Sequence, residues 1–333
     1  MCLSTPFAVE RDILIYCLIQ LNQHHIMSKI INVVCFGEVL WDIFPGGEKR
    51  AGGAPFNVAY HLNKMGVSAY MISSVGDDAL GNELISKVMA WDISNAGIQQ
   101  SAEHTTSKVI ATIDEHHEAH YEILENVAWD FIKSMPDDKK KLTTMDALVF
   151  GTLAARNETS RNTLFELIEA SRFNIFDINL RPPHYSLSLI QELLHKSHLA
   201  KFNQAELKMI LDSLGKTYQE ERDGIRYIQE TFHIPEIIVS KGSKGALYAT
   251  EDTVYDYPAI AVEVIDTVGS GDSFLAGFIA KRLEQNASTR EIMSNAICLG
   301  AFITSKEGAC PEYDLSEFNS FKQAHEPDLL VKE

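Results

Sequence analysis

Apolar residues along this chain form short, nearly continuous runs that alternate with stretches of helical periodicity. The runs lie at 31–36, 70–75, 147–150, 175–178, 199–202 and 237–240. Runs of this length are typical of strands that are buried on both faces. The helical stretches lie at 55–65, 81–96, 158–171, 187–197, 204–214 and 219–232. This alternation predicts an α/β fold in which helices cover both faces of a doubly wound, mainly parallel sheet.

Two stretches break the alternation and predict a small β lid. Residues 39–44 alternate as a strand, and residues 108–124 have the pattern of a hairpin around a polar turn at 114–118. A hairpin inserted in such a fold is a candidate lid, because lids exclude water and complete a site on closure. We expect the lid to be built from about 39–54 and 106–126, within a single domain spanning 27–333.

The first 26 residues have two interpretations. Residues 13–21 are apolar, but this run is too short for a membrane span, which needs about 20 residues. A polar, His-rich stretch follows, and then Met27. We expect 1–26 to be a disordered or non-native extension before a start at Met27; the alternative is a short added helix. No other segment could cross a membrane, so a cytoplasmic protein is expected.

Composition narrows the classes of partner. The 333 residues carry a net charge of −17, which argues against broad nucleic-acid binding. A phosphorylated ligand remains compatible, since the N–H groups of a helix N-terminus can hold phosphate. The five cysteines include no C-x-x-C pair, which indicates thiols in a reducing compartment rather than disulfides or a zinc site.

The strongest candidate for chemistry is the run D-T-V-G-S-G-D-S-F at 266–274. It follows a strand-like stretch at 261–265 and precedes an apolar helical run. Gly269 and Gly271 would let the backbone turn sharply and bring its N–H groups close to a ligand. Asp272 could then accept the proton of an attacking hydroxyl. It could equally be a simple helix cap, and the turn alone leaves both interpretations open.

Three negative observations exclude other classes. The chain contains no G-x-x-x-x-G-K-[ST] phosphate loop, and no G-x-G-x-x-G follows the first strand. A P-loop kinase and a dinucleotide dehydrogenase are therefore disfavoured. His116, His117 and His120 lie in or beside the predicted lid turn, where helical metal-ligand spacing is not expected.

The run at 266–272 closely resembles the second signature of the ribokinase-like (PfkB) carbohydrate kinases, D-T-x-G-A-G-D, with Ser270 in place of Ala. The family's first signature is resembled by G-G-A-P-F-N-V-A at 52–59, followed by V-G-D-D-A-L-G at 75–81. The resemblance extends from residue 30 to about 310. It implies a ribokinase-like fold and an ATP-dependent kinase. Asp272 would be its base, and the anion hole would comprise Gly269, Ser270 and Gly271.

The resemblance also implies a sugar site. The stretch G-E-V-L-W-D at 37–42 is similar to the family's sugar-binding first strand. Asp42, Gly52, Gly53 and Asn57 match positions that contact sugar hydroxyls, beside Asp272. Arg156 is a weaker candidate for contact with sugar or product.

Other positions are implied to hold nucleotide and metal. Asn203 and Glu206 resemble the family's N-x-x-E motif, in which the acid acts on Mg²⁺ through water. Ser240 and Gly242 resemble the family's nucleotide-binding turn, and Gly271 is also implied to contact the nucleotide. In several relatives the acid equivalent to Asp266 binds potassium.

Three further residues are candidates for contact with the nucleotide. Asn295 resembles a helix position near the adenine or ribose. Asn179 and Arg181 follow a buried strand and could face the phosphates, since arginine suits anionic oxygens. The alternative for these two residues is a surface ion pair.

The stretches G-E-V-L-W-D-I-F-P and G-G-A-P-F-N look most like bacterial fructokinases. The alternative enzyme is a 2-keto-3-deoxygluconate kinase, for which Arg156 could meet the substrate carboxylate. A ribokinase is disfavoured because Ala54 and Pro55 replace the characteristic Lys-Gly. A non-catalytic sugar sensor is the alternative from another class. We expect sugar and ATP as the ligands and a homodimer formed through the lid.

Overall fold

The strands build two sheets in a computed structural model that describes residues 30–44, 46–113 and 119–326. The strands of this part of the chain are β1 (Asn32–Phe36), β2 (Leu40–Ile43), β3 (Lys49–Gly52), β4 (Ser68–Gly76), β5 (Ser94–Ser101), β6 (Ser107–Ile113), β7 (Ala119–Ile123), β8 (Ala147–Gly151), β9 (Asn174–Asp177), β10 (Leu199–Asn203), β11 (Glu236–Ser240), β12 (Ala246–Ala249) and β13 (Val254–Tyr257). The large sheet has nine strands in the order β13-β12-β11-β10-β9-β8-β1-β4-β5. Among the described strands of this sheet, β12 pairs antiparallel with both β11 and β13, and the other pairings are parallel.

The helices cover both faces of this sheet. They are α1 (Ala54–Lys64), α2 (Ala79–Ala90), α3 (Pro136–Leu142), α4 (Glu158–Ala170), α5 (Leu187–His195), α6 (Gln204–Ser213), α7 (Glu221–Phe232), α8 (Ser270–Arg282), α9 (Thr289–Thr304) and α10 (Leu315–His325). Val33 and Val34 of β1 are both 0% exposed and belong to different apolar clusters. Successive strand side chains point to opposite faces, so each face of the sheet has its own core. The predicted doubly wound sheet is confirmed.

The small sheet has the order β3-β2-β6-β7. Its strands coincide with the strand expected at 39–44 and the hairpin expected at 108–124, whose turn at 114–118 lies outside the described residues. β2 pairs antiparallel with β3 and parallel with β6. That this sheet acts as a lid stays a prediction, and the expected extension at 1–26 also lies outside the described residues.

Two elements differ from the sequence prediction. The helix expected at 81–96 ends at Ala90, because Asp92 takes a left-handed conformation (φ 55°) and the chain continues into β5. β5 is an edge strand with a partly exposed, polar sequence, so it lacks the apolar run that marks the inner strands. The strand expected at 261–265 is irregular: Val264 and Ile265 are 63% and 60% exposed. Its alternating apolar residues lie beside a cavity instead of entering the sheet.

No helix in the described residues is long and apolar enough to cross a membrane.

Gly277 allows α8 and α9 to approach closely. A Cβ atom at this position would lie 2.9 Å from the carbonyl oxygen of Asn295 and 3.1 Å from Cβ of Leu299. We predict that Gly277→Val lowers the free energy of unfolding by about 1–3 kcal/mol, as overpacking of a core does. Urea unfolding measures the change. Ala90→Val, at the exposed end of α2, is the control and should cost only a few tenths of a kcal/mol. A Gly277→Val protein as stable as this control would contradict the close packing.

Candidate active site

Asp272 lies in the first turn of α8 and meets side chains from several other elements. Nδ2 of Asn57, on α1, donates a hydrogen bond to Oδ2 of Asp272 at 2.8 Å. Burial raises the pKa of Asp272 to about 6, and the charge of Asp177 adds to this shift; the Asn57 hydrogen bond, Lys201 and Arg181 oppose it. A carboxylate with a pKa in this range can take up a proton from a neighbouring hydroxyl near neutral pH.

The backbone before Asp272 forms a sharp turn that opens the N-terminus of α8. Gly269 has φ 74°, and a Cβ there would lie 2.6 Å from Cβ of Ala309, so a side chain is excluded. The Ser273 N–H donates to the Gly269 carbonyl at 2.8 Å. The N–H groups of Gly271 and Asp272 precede this bond and therefore point out of the helix end, where they can hold an anion.

The predicted sugar residues surround the same space. A Cβ on Gly53 (φ 117°) would lie 2.3 Å from the Glu38 carbonyl oxygen, and a Cβ on Gly52 would lie 2.5 Å from Oδ2 of Asp42. Burial raises the pKa of Asp42 to about 6, opposed by the charge of Arg181. Arg181 also acts on Asp272. The structure therefore brings Asp42, Gly52, Gly53 and Asn57 together with Asp272.

Glu38 is a buried acid of this site to which sequence reasoning gave no role. Its residue is 4% exposed, and Oε1 accepts the N–H of Ala54 at 3.1 Å. Oε2 has no hydrogen-bond partner in the described part of the chain. Burial raises the pKa of Glu38 to about 7, against the hydrogen bonds from its own N–H and that of Ala54. In the sequence, only the pair Gly37-Glu38 could have drawn attention to this residue. The pair does not reveal that the Glu38 side chain is directed towards the start of α1.

Cys310 is a second neighbour that the sequence did not single out. Its thiol lies 3.3 Å from Oδ1 of Asn57, so both ends of that amide are bound: one by Asp272 and one by sulfur. Burial raises the pKa of the Cys310 thiol well above its usual range, and Asp272 adds to the effect. The thiol is therefore neutral and can donate to Asn57. Among the described cysteines, Cys35, Cys298 and Cys310 are free thiols.

A cavity of about 630 Å³ adjoins the 269–272 turn. Ser240, Gly242, Ser270 and Gly271 line it, as do apolar side chains, among them Ile260, Val262, Val264, Phe274 and Ile297. An apolar cavity that ends at a helix N-terminus suits a flat ring system joined to an anionic group.

Asn295 has a different environment from the one expected. Its Nδ2 donates to the carbonyl of Gly277 at 2.8 Å, and its Oδ1 accepts from Lys322 at 3.2 Å. The amide thus joins α8, α9 and α10. Among the described residues, those that α9 contributes to the cavity are Ile297, Gly300, Ala301 and Thr304.

Asn203 and Glu206 form a capping box at the start of α6. Asn203 Oδ1 accepts the Glu206 N–H at 2.9 Å, and Glu206 Oε2 accepts the Asn203 N–H at 2.8 Å. Glu206 Oε1 accepts the N–H of Leu180 at 2.9 Å, which ties α6 to the segment after β9. That segment carries Asn179 (φ 38°) and the exposed Arg181.

The donor set of this region fits Mg²⁺ held through water. Both carboxylate oxygens of Glu206 already accept a backbone N–H, so the residue can still receive water ligands of an ion without approaching it directly. No group of three His, Cys, Asp or Glu residues in the described segments could enclose a metal ion by itself. A cation brought in with nucleotide phosphates and its own waters agrees with both observations.

Asp266 and Arg156 are each bound by protein groups. Asp266 Oδ1 accepts the Val268 N–H and Oδ2 accepts the Gly308 N–H, both at 3.0 Å, with Arg50 Nη1 at 3.8 Å from Oδ2. The Arg156 guanidinium donates to both carboxylate oxygens of Asp130 at 2.7 and 2.8 Å. Arg156 lines a separate cavity of about 380 Å³, which shares no lining residue with the 630 Å³ cavity in the described chain.

Known proteins resemble the chain over most of its length. The model of the pfkB family carbohydrate kinases matches residues 31–314. A fructokinase from Salmonella typhimurium is 26% identical over 291 residues, covering 82% of this chain and 93% of the relative. The crystal structure of a fructokinase with bound ATP from Xylella fastidiosa superimposes with a TM-score of 0.80 at 20% identity, over 88% and 98% of the two chains. A fructokinase from Vibrio cholerae O395 with fructose, ADP and potassium ion bound gives 0.75 at 22% identity, over 88% and 99%.

Asn57→Ala should raise the pKa of Asp272 above about 6, because the hydrogen bond from Asn57 favours the charged carboxylate. Carboxyl ¹³C NMR measures the titration, with the Asp272 signal assigned by its loss in Asp272→Asn. Asn63→Ala is the matched control, since Asn63 lies on the same helix but donates to the carbonyl of Trp91. A pKa that is unchanged in Asn57→Ala would show that the hydrogen bond does not set the ionisation of Asp272.

Proposed function

Because the chain belongs to the pfkB family of carbohydrate kinases, we propose that it transfers the γ-phosphoryl group of ATP to D-fructose, giving ADP and fructose 6-phosphate. The observation that carries the catalytic part is the 2.8 Å hydrogen bond from Asn57 to Asp272. It joins a residue expected to bind sugar to the residue expected to act as the base.

Asp272 begins the reaction as a carboxylate, and Asn57 fixes its orientation. As the sugar oxygen forms its bond to the γ-phosphorus, the bond from phosphorus to the β–γ bridging oxygen breaks, and ADP leaves with that electron pair. The hydroxyl proton passes to Asp272. The N–H groups of Gly271 and Asp272, at the positive end of α8, stabilise the negative charge on the phosphoryl oxygens.

The nucleoside part of ATP would occupy the 630 Å³ cavity, with its phosphates directed towards the 269–272 turn. Mg²⁺ would neutralise phosphate charge, with Glu206 holding its waters. The Vibrio cholerae relative was crystallised with potassium, and we assign Asp266 to a monovalent cation here. The Xylella fastidiosa relative was crystallised with ATP.

A neutral sugar is favoured over a sugar acid by the state of Arg156. A 2-keto-3-deoxygluconate kinase needs a cation for the substrate carboxylate, and Arg156 was the candidate. Here the Arg156 guanidinium is already neutralised by Asp130 through two hydrogen bonds. Fructose carries no charge and needs no such partner. The names of the relatives favour the same substrate.

Asp272→Asn should bind sugar but lose turnover by about 10²–10⁴-fold, because an amide cannot accept the hydroxyl proton. Coupled detection of ADP release measures the rate, and sugar-dependent change in melting temperature measures binding. Asp252→Asn, at an exposed turn, is the control and should keep full activity. Substantial turnover by Asp272→Asn would remove Asp272 as the base.

The substrate is tested by one assay of ADP release with fructose, ribose, glucose and 2-keto-3-deoxygluconate. We expect the highest kcat/KM for fructose. A preference for 2-keto-3-deoxygluconate would overturn the assignment and would require Arg156 to leave Asp130. If a sugar shifts the melting temperature but none is phosphorylated, the chain is a sugar sensor.

A further inference from the structure

Asp177 and Lys201 form a buried ion pair that the proposed reaction has not yet used. They face each other as register partners, Asp177 at the end of β9 and Lys201 in the middle of β10. The Lys201 ammonium lies 2.9 Å from both carboxylate oxygens of Asp177. Lys201 is 7% exposed and Asp177 is 5% exposed.

The pair lies directly against the catalytic turn. A Cβ built on Gly271 would lie 3.5 Å from Nζ of Lys201, so the ammonium faces the backbone next to Asp272. An ammonium has three N–H donors, and contact with a single carboxylate leaves Lys201 able to approach another anion. The absence of a side chain at Gly271 leaves the space between the ammonium and the turn open.

Stability alone is a poor reason for this pair. Removing two charges from water is expensive, and buried ion pairs often contribute no more stability than apolar residues of similar size. Burial opposes the charge of Lys201, yet Asp177, with smaller contributions from Asp272 and Glu206, raises the pKa of Lys201 above its ordinary value. The lysine therefore remains positively charged at neutral pH beside a site that handles phosphate.

We propose that Lys201, which lies beside the 269–272 turn and is paired with Asp177, keeps Asp272 ionised and stabilises the transferring phosphoryl group. The second role rests on the proposed kinase reaction. The first role requires only the arrangement of the side chains.

The surroundings of Asp272 predict opposite effects for the two members of the pair. From β9 and β10, Asp177 disfavours the charged form of Asp272 and Lys201 favours it. The other groups that act on it are Arg181 and the Asn57 amide, while Glu38 and Cys310 are neighbouring acids that feel its charge. Removing the cation should therefore raise the pKa of Asp272, and removing the anion should lower it.

The test compares Lys201→Met, Asp177→Asn and the double variant. Carboxyl ¹³C NMR of each protein gives the pKa of Asp272 without any turnover. We expect the pKa to rise above about 6 in Lys201→Met, fall below it in Asp177→Asn and lie between the two in the double variant. Since the base acts as a carboxylate, the acid limb of kcat/KM should move in the same directions for whichever sugar the protein phosphorylates. Lys201→Met should also lower kcat by about 10²-fold with a smaller change in KM.

Glu236→Gln is the matched control, because Glu236 is a buried acid that is paired with the partly exposed Arg282 outside the site. It should lower the melting temperature and leave the pKa of Asp272 unchanged. If Lys201→Met does not fold, the double variant replaces it, because it leaves no uncompensated charge. The proposal then requires that the double variant loses kcat and that its Asp272 has a higher pKa than in Asp177→Asn.

Equal or absent pKa shifts in the two single variants would overturn the role of the pair. Opposite shifts in a protein that phosphorylates no sugar would instead overturn the kinase assignment and leave the pair's electrostatic role intact.

Discussion

The hydrogen bond between Asn57 and Asp272 is the interaction on which the site depends. It connects residues 215 positions apart, one near the start of α1 and the other in the first turn of α8. Both helices cover the same face of the large sheet, so packing of that face brings the two side chains together. Gly53 and Gly269 stand immediately before α1 and α8, where a side chain would clash with Glu38 or Ala309. The absence of a side chain lets the chain turn sharply into each helix, so that the two side chains can meet. The glycine-rich entry to α1 and the N-terminus of α8 thus become adjacent through one amide and one carboxylate.

Ionisable groups are concentrated at this edge of the sheet. Burial raises the pKa of Asp42, of Asp272 and of Glu38 towards neutrality. Two cations, Arg181 and Lys201, limit the rise for Asp272. Perturbed groups of opposite sign that converge on one space are typical of catalytic sites. Here the balance between these charges, rather than any single residue, sets the ionisation of Asp272.

The inner strands could be predicted because burial on both faces favours apolar side chains at most positions. The edge strand β5 could not, since solvent on its outer side permits the polar sequence S-N-A-G-I-Q-Q-S. The stretch at 261–265 has apolar alternation but no sheet partner, and its residues lie beside a cavity instead. The local pattern alone cannot distinguish apolar residues that form a strand of the sheet from apolar residues that line a cavity.

Site residues could be predicted where a backbone turn requires a particular type of residue. They could not be predicted where the fold brings together side chains that are distant in the sequence. Gly53, Gly269 and Asp272 follow from turn geometry and the family motif. Lys201 appears in the sequence only as a lysine within an apolar strand, and its partner Asp177 lies 24 residues away. The hydrogen-bond partners of Arg156 and Asn295 likewise depend on tertiary packing, so no sequence motif predicts them.

The apolar wall of the 630 Å³ cavity has a calorimetric consequence. Val264 is largely exposed, and it shares the wall with Val262 and Ile297. A ring that enters the cavity removes this surface from water, and burial of apolar surface lowers the heat capacity of the complex. The enthalpy of nucleotide binding should therefore become steadily more favourable on warming.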